Sequence, residues 1–568
     1  MIGKSMFHPR CAPANQGIAV PRRVATVTPA VARASVAPGP SADDAAVGSA
    51  ARATPAAEVP AGLSAAEARL ARIAATKARS WHDEVIYMAM TDRFHNGDKT
   101  NDAGTDPTNP NRFHGGDWQG LIDKLDYLAD LGVTTLWISP LPEQIRDFLG
   151  TDGYHGYWTK DFTRPEPSFG TVDKLRELVD KAHEKGLKVL VDLVVNHLGY
   201  GAPMAEDPAY HDWFHHQGNV NLTLQRNMEK GKLSGLPDFA QENPVVSRWL
   251  IDQCKAWIDK ADIDGFRLDA VRHVPVDFWK RFSAEIHAHA GNNFLLLGEV
   301  YDPVVAHTSK FQNEAGMDSV FDFPLNFALR NTIGCDKPST WWNTLRYVVT
   351  HLDHLDGESV RIAMGQSDGD MRRLSSVLKK DSAYRRSDLL VTLLDNHDMP
   401  RFTTVAGEKG ESKLKLGLAL LMTMRGIPSV YYGTEVAMRG YTDDDVRKDM
   451  AFGSHPQMEA AFKQLAHIRK DSVALRRGSF EELHADRDVY AFSRCAPSES
   501  VVVALNNGKQ VNHRDIPAPA SLADGTTLID KIGGSRYIVN QGRIAVDLAP
   551  DQAVILGVAG SFGSNYPC

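Results

Sequence analysis

Eight short apolar runs rich in β-branched residues recur between residues 85 and 432, and they constrain the fold more than any other feature of the chain. Segments with the 3.6-residue apolar period of amphipathic helices lie between them. Alternating strands and helices are typical of a parallel sheet, and eight such units predict a closed barrel. The predicted strands are Val85–Met90, Val133–Ile138, Lys188–Val194, Gly265–Leu268, Phe294–Gly298, Ser319–Phe323, Leu389–Leu394 and Ser429–Tyr432.

We therefore predict an α/β fold: a (β/α)8 TIM barrel with an inserted loop domain after strand 3 and a C-terminal antiparallel β-sandwich domain. The barrel is assigned to residues 81–475, which exceeds the usual length of about 250 residues and requires long loops. The inserted domain is placed at 198–243. Residues 476–568 contain short strand-like runs separated by Gly, Asn, Asp and Pro, as expected of the β-sandwich domain.

Residues 1–80 differ in composition from the rest of the chain. They are rich in Ala and Pro, and Phe7 is the only aromatic residue before Trp81. Such a segment buries too little apolar surface to offset its chain entropy, so we predict disorder that ends in a short helix at about 64–79. The helix start is marked by a capping-box sequence from Ser64 to Glu67. A plain tail, a weak export signal and a transit peptide remain open alternatives for this segment.

Charge and composition exclude several classes of protein. The net charge of −8 argues against binding to nucleic acid or to an anionic membrane surface, both of which require a basic face. No apolar stretch reaches the roughly 18 residues needed to span a membrane. The five cysteines contain no CxxC pair, so neither a zinc ribbon nor a thioredoxin-type redox site is indicated. We predict no nucleic-acid and no membrane partner.

Polar and aromatic side chains follow several of the predicted strands, where barrel enzymes place their catalytic groups. The segments concerned are Tyr154–Trp158, Asp192–His197, Gly265–His273, Gly298–Tyr301 and Leu394–Asp398. Any single Asp at such a position is more often a helix cap or an ion-pair partner than a catalyst. Asp192 and Asp395 are assigned such structural roles, because each precedes the other polar residues of its segment. The histidines also raise the alternative of a zinc hydrolase, although no HExxH is present.

Four of these segments together resemble the signature segments of the α-amylase family of retaining glycoside hydrolases. They are DLVVNH (192–197), GFRLDAVRH (265–273), GEV (298–300) and DNHD (395–398), and they occur in the family's order. GIPSVYYGTE (426–435) and LPDF (236–239) match as well. The resemblance covers residues 84 to 560, and it is strongest toward the maltogenic amylase and cyclodextrin glucanotransferase branch.

The resemblance implies that Asp269 is the nucleophile, Glu299 the general acid/base and Asp398 the third carboxylate. Retaining cleavage independently requires one ionised carboxylate that attacks and one protonated carboxyl group that donates to the leaving oxygen. Glu299 should therefore have a raised pKa. Arg267 lies two residues before Asp269, which puts both side chains on one face of a strand. We expect this guanidinium to keep Asp269 ionised.

The same resemblance implies a set of substrate-binding residues around the cleaved sugar. Ala270 resembles the residue found in relatives that act on α-1,4 bonds, so starch, maltooligosaccharides or cyclodextrins are the expected substrates. Tyr157 is expected to stack on the apolar face of a sugar ring. The predicted substrate-binding residues are His155, Tyr157, His197, Arg267, Arg272, His273 and His397.

One or two structural calcium ions are the expected cofactors. Asn196, Asp238 and the carbonyl of His273 match a family calcium site below the loop after strand 3. A second predicted set follows strand 1 and offers the oxygen ligands that calcium prefers. An ordinary turn rich in Asn and Asp is the alternative for this second set. Its residues are Asn96, Asp98, Asn101, Asp102, Gly115 and Asp117.

Hydrolysis of α-1,4-glucans is preferred over transfer. Ser234 stands four residues before Asp238, where cyclodextrin-forming relatives have an aromatic residue, and residue 272 is Arg rather than Lys. The extra starch-binding domains of those transferases are not expected after residue 560. Cyclomaltodextrinase, maltogenic amylase and glucan transferase activity remain alternatives, and an inactive glucan-binding protein is a remote one. We expect a monomer that is secreted or periplasmic, because starch is usually met outside the cytoplasm.

Overall fold

The computed structural model describes residues 64–221, 227–334 and 369–560. Its first element is a helix at Ala65–Ala78, which begins one residue after Ser64. The Ser64 side chain accepts a hydrogen bond from the Glu67 backbone, and the Glu67 carboxylate accepts one from the Ser64 backbone. This reciprocal pair confirms the predicted capping box. The segment predicted to be disordered lies mostly outside the described residues.

Eight parallel strands form the barrel and confirm the predicted fold class. They pair in the order β6-β5-β4-β3-β2-β1-β8-β7, and a parallel bridge between Phe321 and Val391 joins the two ends of this order. The observed strands lie within the predicted runs or extend them by two residues. Their bounds are β1 Ile86–Ala89, β2 Thr135–Ile138, β3 Lys188–Leu193, β4 Gly265–Leu268, β5 Leu295–Gly298, β6 Ser319–Val320, β7 Val391–Leu393 and β8 Ile427–Tyr431.

Helices separate the barrel strands as predicted, with one difference. The pattern at 121–131 predicted a single helix, whereas two short helices at Trp118–Asp123 and Leu125–Asp130 meet at Lys124, whose φ of −106° and ψ of 4° are not helical. The first of them starts early because the Asp117 side chain caps its amino end. The remaining α-helices are Thr91–Phe94, Val172–Glu184, Pro203–Glu206, Pro244–Ala261, Val276–Ala290, Val305–Glu314, Phe323–Leu329, Arg372–Leu378, Phe402–Val405, Gly410–Thr423, Asp443–Val446, Pro456–Asp471 and Val473–Arg477.

The loops at the carboxyl ends of the strands are long. A two-stranded antiparallel sheet of Pro142–Gln144 and Thr159–Pro165 follows β2. The segment after β3 contains the short helix Pro203–Glu206 and a 3₁₀ helix at Pro208–Trp213, and isolated bridges join His197 to Asp238 and Phe214 to Phe239. None of the helices in the described part of the chain is both long and apolar enough to cross a membrane.

The C-terminal domain contains eight antiparallel strands in the order β9-β10-β11-β16-β13-β14-β15-β12. The sequence predicts strand-like runs at 488–492, 501–505, 527–529, 538–539, 544–546 and 553–556, which match six of these strands. It does not predict β9 and β12. These two strands lie at the ends of the order, and most of their residues are exposed or half-buried. Edge strands of this kind show no apolar run in the sequence. The bounds are β9 Ser479–Ala485, β10 Val489–Ala496, β11 Glu499–Asn506, β12 Asn512–Pro517, β13 Thr527–Asp530, β14 Arg536–Asn540, β15 Arg543–Leu548 and β16 Gln552–Val558.

Strands β10 and β11 join this domain to the barrel through their alternating side chains. Tyr490 and Phe492 pack into the barrel core, whereas Val489 and Ala491 pack into the separate core of the C-terminal domain. Successive side chains of a strand point to opposite faces, so the two faces of this sheet pack against two different hydrophobic cores. Arg494 of β10 also donates to the carbonyls of Thr423 and Met424, which precede β8, so this contact lies at the amino-terminal end of the barrel.

Candidate active site

Neighbouring barrel strands bring the predicted catalytic residues together. Strands β3 and β4 pair in parallel with Asp192 opposite Arg267, and β4 pairs with β5 so that Leu268 lies opposite Gly298. Asp269 and Glu299 follow these last two residues directly. The register therefore places both carboxyl groups at the carboxyl-terminal edge of the barrel, side by side.

A single guanidinium joins three carboxylates at this edge. Nη1 of Arg267 donates to Asp192 Oδ1 at 3.0 Å and to Asp269 Oδ1 at 2.7 Å. Nη2 of the same side chain forms an ion pair with Glu299 Oε1 at 2.8 Å. The Arg267 side chain is fully buried, whereas the side chains of Asp269 and Glu299 are 13% and 12% exposed. The two carboxyl groups thus face a cleft while sharing one cation beneath them.

The electrostatics of this pair differ in part from the expectation. Burial raises the pKa of Glu299 to about 7; Arg267 opposes the increase and Asp269 adds to it. This direction is the one predicted for a general acid. Burial also raises the pKa of Asp269 to about 7, although the charge of Arg267 opposes it. The predicted contact with Arg267 is present, but the loss of solvation outweighs it. Because like charges disfavour double ionisation, the two groups together hold a proton near neutral pH.

The backbone after Asp269 is strained. Ala270 has φ +50° and ψ +36°, a left-handed conformation that a residue with a Cβ rarely adopts. Its N–H donates to Glu299 Oε2 at 3.1 Å. The unusual turn therefore aims one more donor at the acid, a use of backbone strain that is common at functional sites.

The third carboxylate, Asp398, lies in a separate cluster of the same edge. His397 Nε2 is 3.0 Å from Asp398 Oδ2, and Arg447 Nη2 is 3.0 Å from Oδ1. Burial alone would raise the pKa of Asp398, but His397 and Arg447 outweigh it and lower the pKa. The side chain is 38% exposed, so its carboxylate faces the cleft as an anion.

Tyr157 links the two clusters. Its hydroxyl donates to Asp192 Oδ2 at 2.7 Å and lies 2.7 Å from His397 Nε2. The centroids of the stacked Tyr157 and His397 rings are 5.2 Å apart, and those of Tyr157 and His155 are 5.7 Å apart. His197 Nε2 contacts the carbonyl of Tyr157 at 3.1 Å. Burial lowers the pKa of His155 and lowers that of His197 to about 4, so both rings are neutral hydrogen-bonding groups at neutral pH.

Two predicted substrate contacts lie farther out. Arg272 forms an ion pair with Asp302 at 2.9 Å and donates to the carbonyl of Tyr301. The imidazole of His273 contacts the carbonyl of Met228 at 3.0 Å, and burial lowers its pKa to about 4. Both side chains are thus engaged with neighbouring loops, and their roles toward substrate stay predictions.

The first predicted calcium set contains two buried oxygens that have no hydrogen-bond partner among the described residues. They are Asn196 Oδ1 and Asp238 Oδ1. A bridge between His197 and Asp238 aligns the two segments, and Asp238 Oδ2 already accepts from His215 at 2.7 Å. Buried carbonyl and carboxylate oxygens are costly without a partner, and a hard cation would satisfy both. The carbonyl of His273, the third predicted ligand, stays a prediction.

The second predicted set lies in the loop after β1, where its side chains hydrogen-bond to one another. Asn96 Nδ2 donates to both oxygens of Asp102 at 2.9 Å. The buried Oδ1 atoms of Asn96 and Asn101 have no hydrogen-bond partner in the part of the chain that the structure describes. A Cβ on Gly115, at φ +96°, would lie 2.5 Å from Asp102 Oδ1, so only glycine fits there. These oxygens fit a hard cation.

Two members of the second set differ from the others. Asp98 instead accepts from Thr100 in an Asx turn, as the alternative for this set proposed. Asp117 binds backbone N–H groups, at 3.1 Å from Gly97 and 2.8 Å from Asp98, and caps the helix that follows. In the described ranges no group of three His, Cys, Asp or Glu side chains forms a metal site, as a zinc hydrolase would need.

Sequence reasoning missed one side chain of this edge. Arg447 comes from the loop after β8 and contacts Asp398. The sequence around Arg447 contained no signal for this contact. Asp192 was assigned a structural role, and its ion pair with Arg267 and its hydrogen bond with Tyr157 fit that role.

Comparison with known proteins supports one family over most of the chain. The family model described as "Alpha amylase, catalytic domain" matches residues 88–478. A β/α-amylase of Paenibacillus polymyxa is 33% identical over 84% of this chain, which spans only 38% of that protein's length. A solved α-amylase from Anoxybacillus is 36% identical, with a TM-score of 0.74 over 85% of this chain and 99% of its own.

A third match corrects one sequence argument. A solved cyclomaltodextrin glucanotransferase described as having a three-domain ABC distribution is 30% identical, with a TM-score of 0.70 over 84% of this chain and 99% of its own. Such a transferase lacks the extra domains that we expected to distinguish transferases, so domain number does not separate hydrolysis from transfer. The barrel, its four signature segments and these matches show that this chain belongs to the α-amylase family.

Proposed function

We propose that this protein hydrolyses α-1,4-glucosidic bonds of starch or maltooligosaccharides by a retaining double displacement. The observation that supports it best is the contact of one buried guanidinium, that of Arg267, with both Asp269 and Glu299. Retaining glycosidases need two carboxyl groups close enough to act on one bond. A shared cation beneath both groups keeps them close, while their burial lets the pair hold a single proton.

The reaction follows from that proton. Glu299 donates it to the glycosidic oxygen while Asp269 Oδ attacks the anomeric carbon, so the C–O bond to the leaving sugar breaks as a glycosyl–aspartate bond forms. Glu299, now ionised, takes a proton from water, which attacks the anomeric carbon and releases Asp269. After the first displacement Glu299 is ionised and Asp269 is esterified, and the second displacement returns the pair to one proton.

The second cluster stabilises the sugar. Asp398 is anionic and faces the cleft, so it accepts hydrogen bonds from the sugar hydroxyls, and these bonds strengthen in the oxocarbenium-like transition state. The neutral rings of His155 and His197 are hydrogen-bonding groups at the same edge, and His397 lies beside Tyr157 there. Tyr157 offers an aromatic face to the sugar. Water exclusion by a bound glucan chain would strengthen all of these contacts.

Transfer of the glycosyl unit to a second sugar is the alternative that the matches favour. A three-domain cyclomaltodextrin glucanotransferase shares the fold and 30% of its residues with this chain. Ser234 at the position expected to be aromatic in cyclodextrin-forming relatives still favours hydrolysis. Cyclomaltodextrinase and maltogenic amylase activity would also be hydrolysis, with a different preferred glucan.

Two calcium ions are proposed as structural cofactors. Asn196 and Asp238 would hold the first, because each has a buried side-chain oxygen with no hydrogen-bond partner among the described residues. Asn96 and Asn101, whose buried Oδ1 atoms have none there either, would hold the second together with Asp102 and Gly115. A bound cation would fix the loops after β3 and β1 beside the cleft. Removal of calcium should lower the unfolding temperature, and Asn96→Ala should remove part of that calcium dependence. An unchanged melting curve in excess chelator would contradict both sites.

The activity test is product release from soluble starch, β-cyclodextrin and pullulan by the purified protein. We expect reducing sugars from starch and maltooligosaccharides, and a loss of at least about a thousandfold in Asp269→Asn and Glu299→Gln. Accumulation of cyclic products would support the transferase instead. Full activity in either variant would refute the assignment. We also propose action outside the cytoplasm, where polymeric glucan is met, by a monomer.

A further inference from the structure

The segment Leu394–Pro400 leaves the end of β7 and contains both His397 and Asp398. Its two ends are bound by one side chain. Arg330 Nη1 donates to the carbonyl of Leu394 at 3.0 Å, and Nη2 donates to the carbonyl of Pro400 at 2.9 Å. The planar fork of a guanidinium has a fixed spacing between its donors, so this contact sets the distance between the two ends of the segment.

Arg330 extends a contact made one turn earlier on the same helix. Asn326 lies in the helix Phe323–Leu329, and its Nδ2 donates to the carbonyls of Leu393 and Leu394 at 2.9 and 3.1 Å. Residues four apart share a helix face. The helix after β6 thus fixes the start of the segment through Asn326 and closes it through Arg330.

The turn that contains Arg330 is bound from the C-terminal domain. Residues Arg330–Gly334 form a π-helical turn, a feature found frequently at functional sites. Asn507, directly after β11, donates through Nδ2 to the carbonyls of Thr332 at 2.9 Å and Gly369 at 3.1 Å. Its Oδ1 accepts from Lys413 Nζ at 2.5 Å, and Lys413 also pairs with Asp551.

We propose that Arg330 is a positioning residue for the His397–Asp398 segment and that Asn507 holds the turn of Arg330 in place. The C-terminal domain then contributes to catalysis through hydrogen bonds that end at the carbonyls of Leu394 and Pro400. This inference rests on the proposed function, because it requires Asp398 to act on the sugar. Displacement of a reacting group by about 1 Å is enough to cost about a hundredfold in rate.

The first test replaces Arg330 in two backgrounds and measures kcat and KM on a maltooligosaccharide, with active sites counted by titration. Arg330→Met should lower kcat about tenfold or more with little change in KM. Arg330→Lys, which keeps the charge but reaches one carbonyl, should lose less. In an Asp398→Asn background, Arg330→Met should cause no further loss, because its effect passes through Asp398. If Arg330→Met does not fold, the same comparison is made with Arg330→Lys, alone and in the Asp398→Asn background. The loss in kcat should again appear only when Asp398 is present.

Equal losses from Arg330→Met with and without Asp398 would overturn the inference, and so would an unchanged kcat in the single variant. Arg385→Met is the matched control for loss of a guanidinium. Arg385 donates to the carbonyl of Met317 at 3.0 Å, before β6 begins and away from the cleft. Its kcat should be unchanged. If Asp398→Asn itself keeps full activity, the proposed function fails rather than the positioning role.

The second test compares two adjacent asparagines. Asn507→Ala should lower kcat several-fold, and its effect should not add to that of Arg330→Met. Asn506→Ala is the control, since Asn506 is also buried but donates to the carbonyls of Gln510, Leu548 and Ala549, all within the C-terminal domain. It should lower the unfolding temperature and leave kcat unchanged. Equal kcat in both variants, or additive effects of Asn507→Ala and Arg330→Met, would overturn the domain contribution.

Discussion

Buried arginines lie at both ends of the barrel, but their partners differ. At the carboxyl-terminal end, Arg267 contacts three carboxylates. At the amino-terminal end, Arg469 donates to the backbone carbonyls of Met422, Leu475, Gly426 and His82. Arg494, from β10, donates to those of Thr423, Met424 and Gly478. Within the described residues, neither of these two side chains forms a hydrogen bond or an ion pair with a carboxylate.

The pKa directions separate the two ends. Burial should lower the pKa of any of these arginines, yet the carboxylates around Arg267 raise its pKa. Burial lowers the pKa of Arg469 to about 9 and that of Arg494 to about 10. At the carboxyl-terminal end, the guanidinium of Arg267 acts as a charge that shifts the pKa values of neighbouring carboxyl groups. At the amino-terminal end, the guanidinium groups of Arg469 and Arg494 act as hydrogen-bond donors to backbone carbonyls.

The largest expected effect comes from Arg267→Met. It leaves Asp192, Asp269 and Glu299 buried without their cation, so we expect kcat/KM to fall by about a thousandfold or more. The free energy of unfolding should also fall, by about 3 kcal/mol. Steady-state kinetics and denaturant unfolding measure the two effects. A kcat/KM within tenfold of wild type would contradict the claim that the arginine at the carboxyl-terminal end of the barrel acts on catalysis.

Arg469→Met should lower stability without lowering catalytic activity. Several buried carbonyls lose their donor, at a cost of about 1–3 kcal/mol each before water or relaxation compensates. We expect the free energy of unfolding to fall by about 3 kcal/mol, with kcat of the folded enzyme within about twofold of wild type. The same two measurements apply. A matching loss of kcat would show that this arginine is also coupled to catalysis.

The smallest effect is a shift in pH dependence. Glu299 must start protonated and its pKa is raised to about 7, so kcat/KM should fall as pH rises through about 7. Arg267 opposes that increase in pKa. In Arg267→Met, the residual kcat/KM should therefore begin to fall at a pH about one unit higher than in the wild type. Arg469→Met should leave the limb in place. An identical limb in all three proteins would contradict the role of Arg267.

The same groups determine how stability depends on pH. Asp269 and Glu299 have folded-state pKa values raised to about 7 above their ordinary values near 4. The folded state therefore binds more protons between pH 4 and 7, and the stability that this provides below pH 4 is lost as pH rises through about 7. Substituting Gln for Glu299 should flatten this dependence.

The sequence predicted the barrel and its carboxylates because both leave local signals. Eight apolar runs fixed the strands, and Arg267 and Asp269 were paired by a spacing of two on one strand. The contacts of Asp192 and Arg447 join distant segments of the chain, which one sequence does not show. Arg469 and Arg494 were missed for another reason: their partners are backbone carbonyls, which have no residue signature. The edge strands β9 and β12 lacked the apolar alternation of inner strands.

The most direct test of the account is capture of the covalent intermediate. A fluorinated maltosyl donor with a good leaving group, which slows hydrolysis of the glycosyl–enzyme, should label the protein once. Peptide mass spectrometry should place the sugar on Asp269, and Glu299→Gln should still be labelled because an activated leaving group needs no proton. Labelling of another carboxylate, or inversion of the anomeric configuration in the first product formed, would contradict the account.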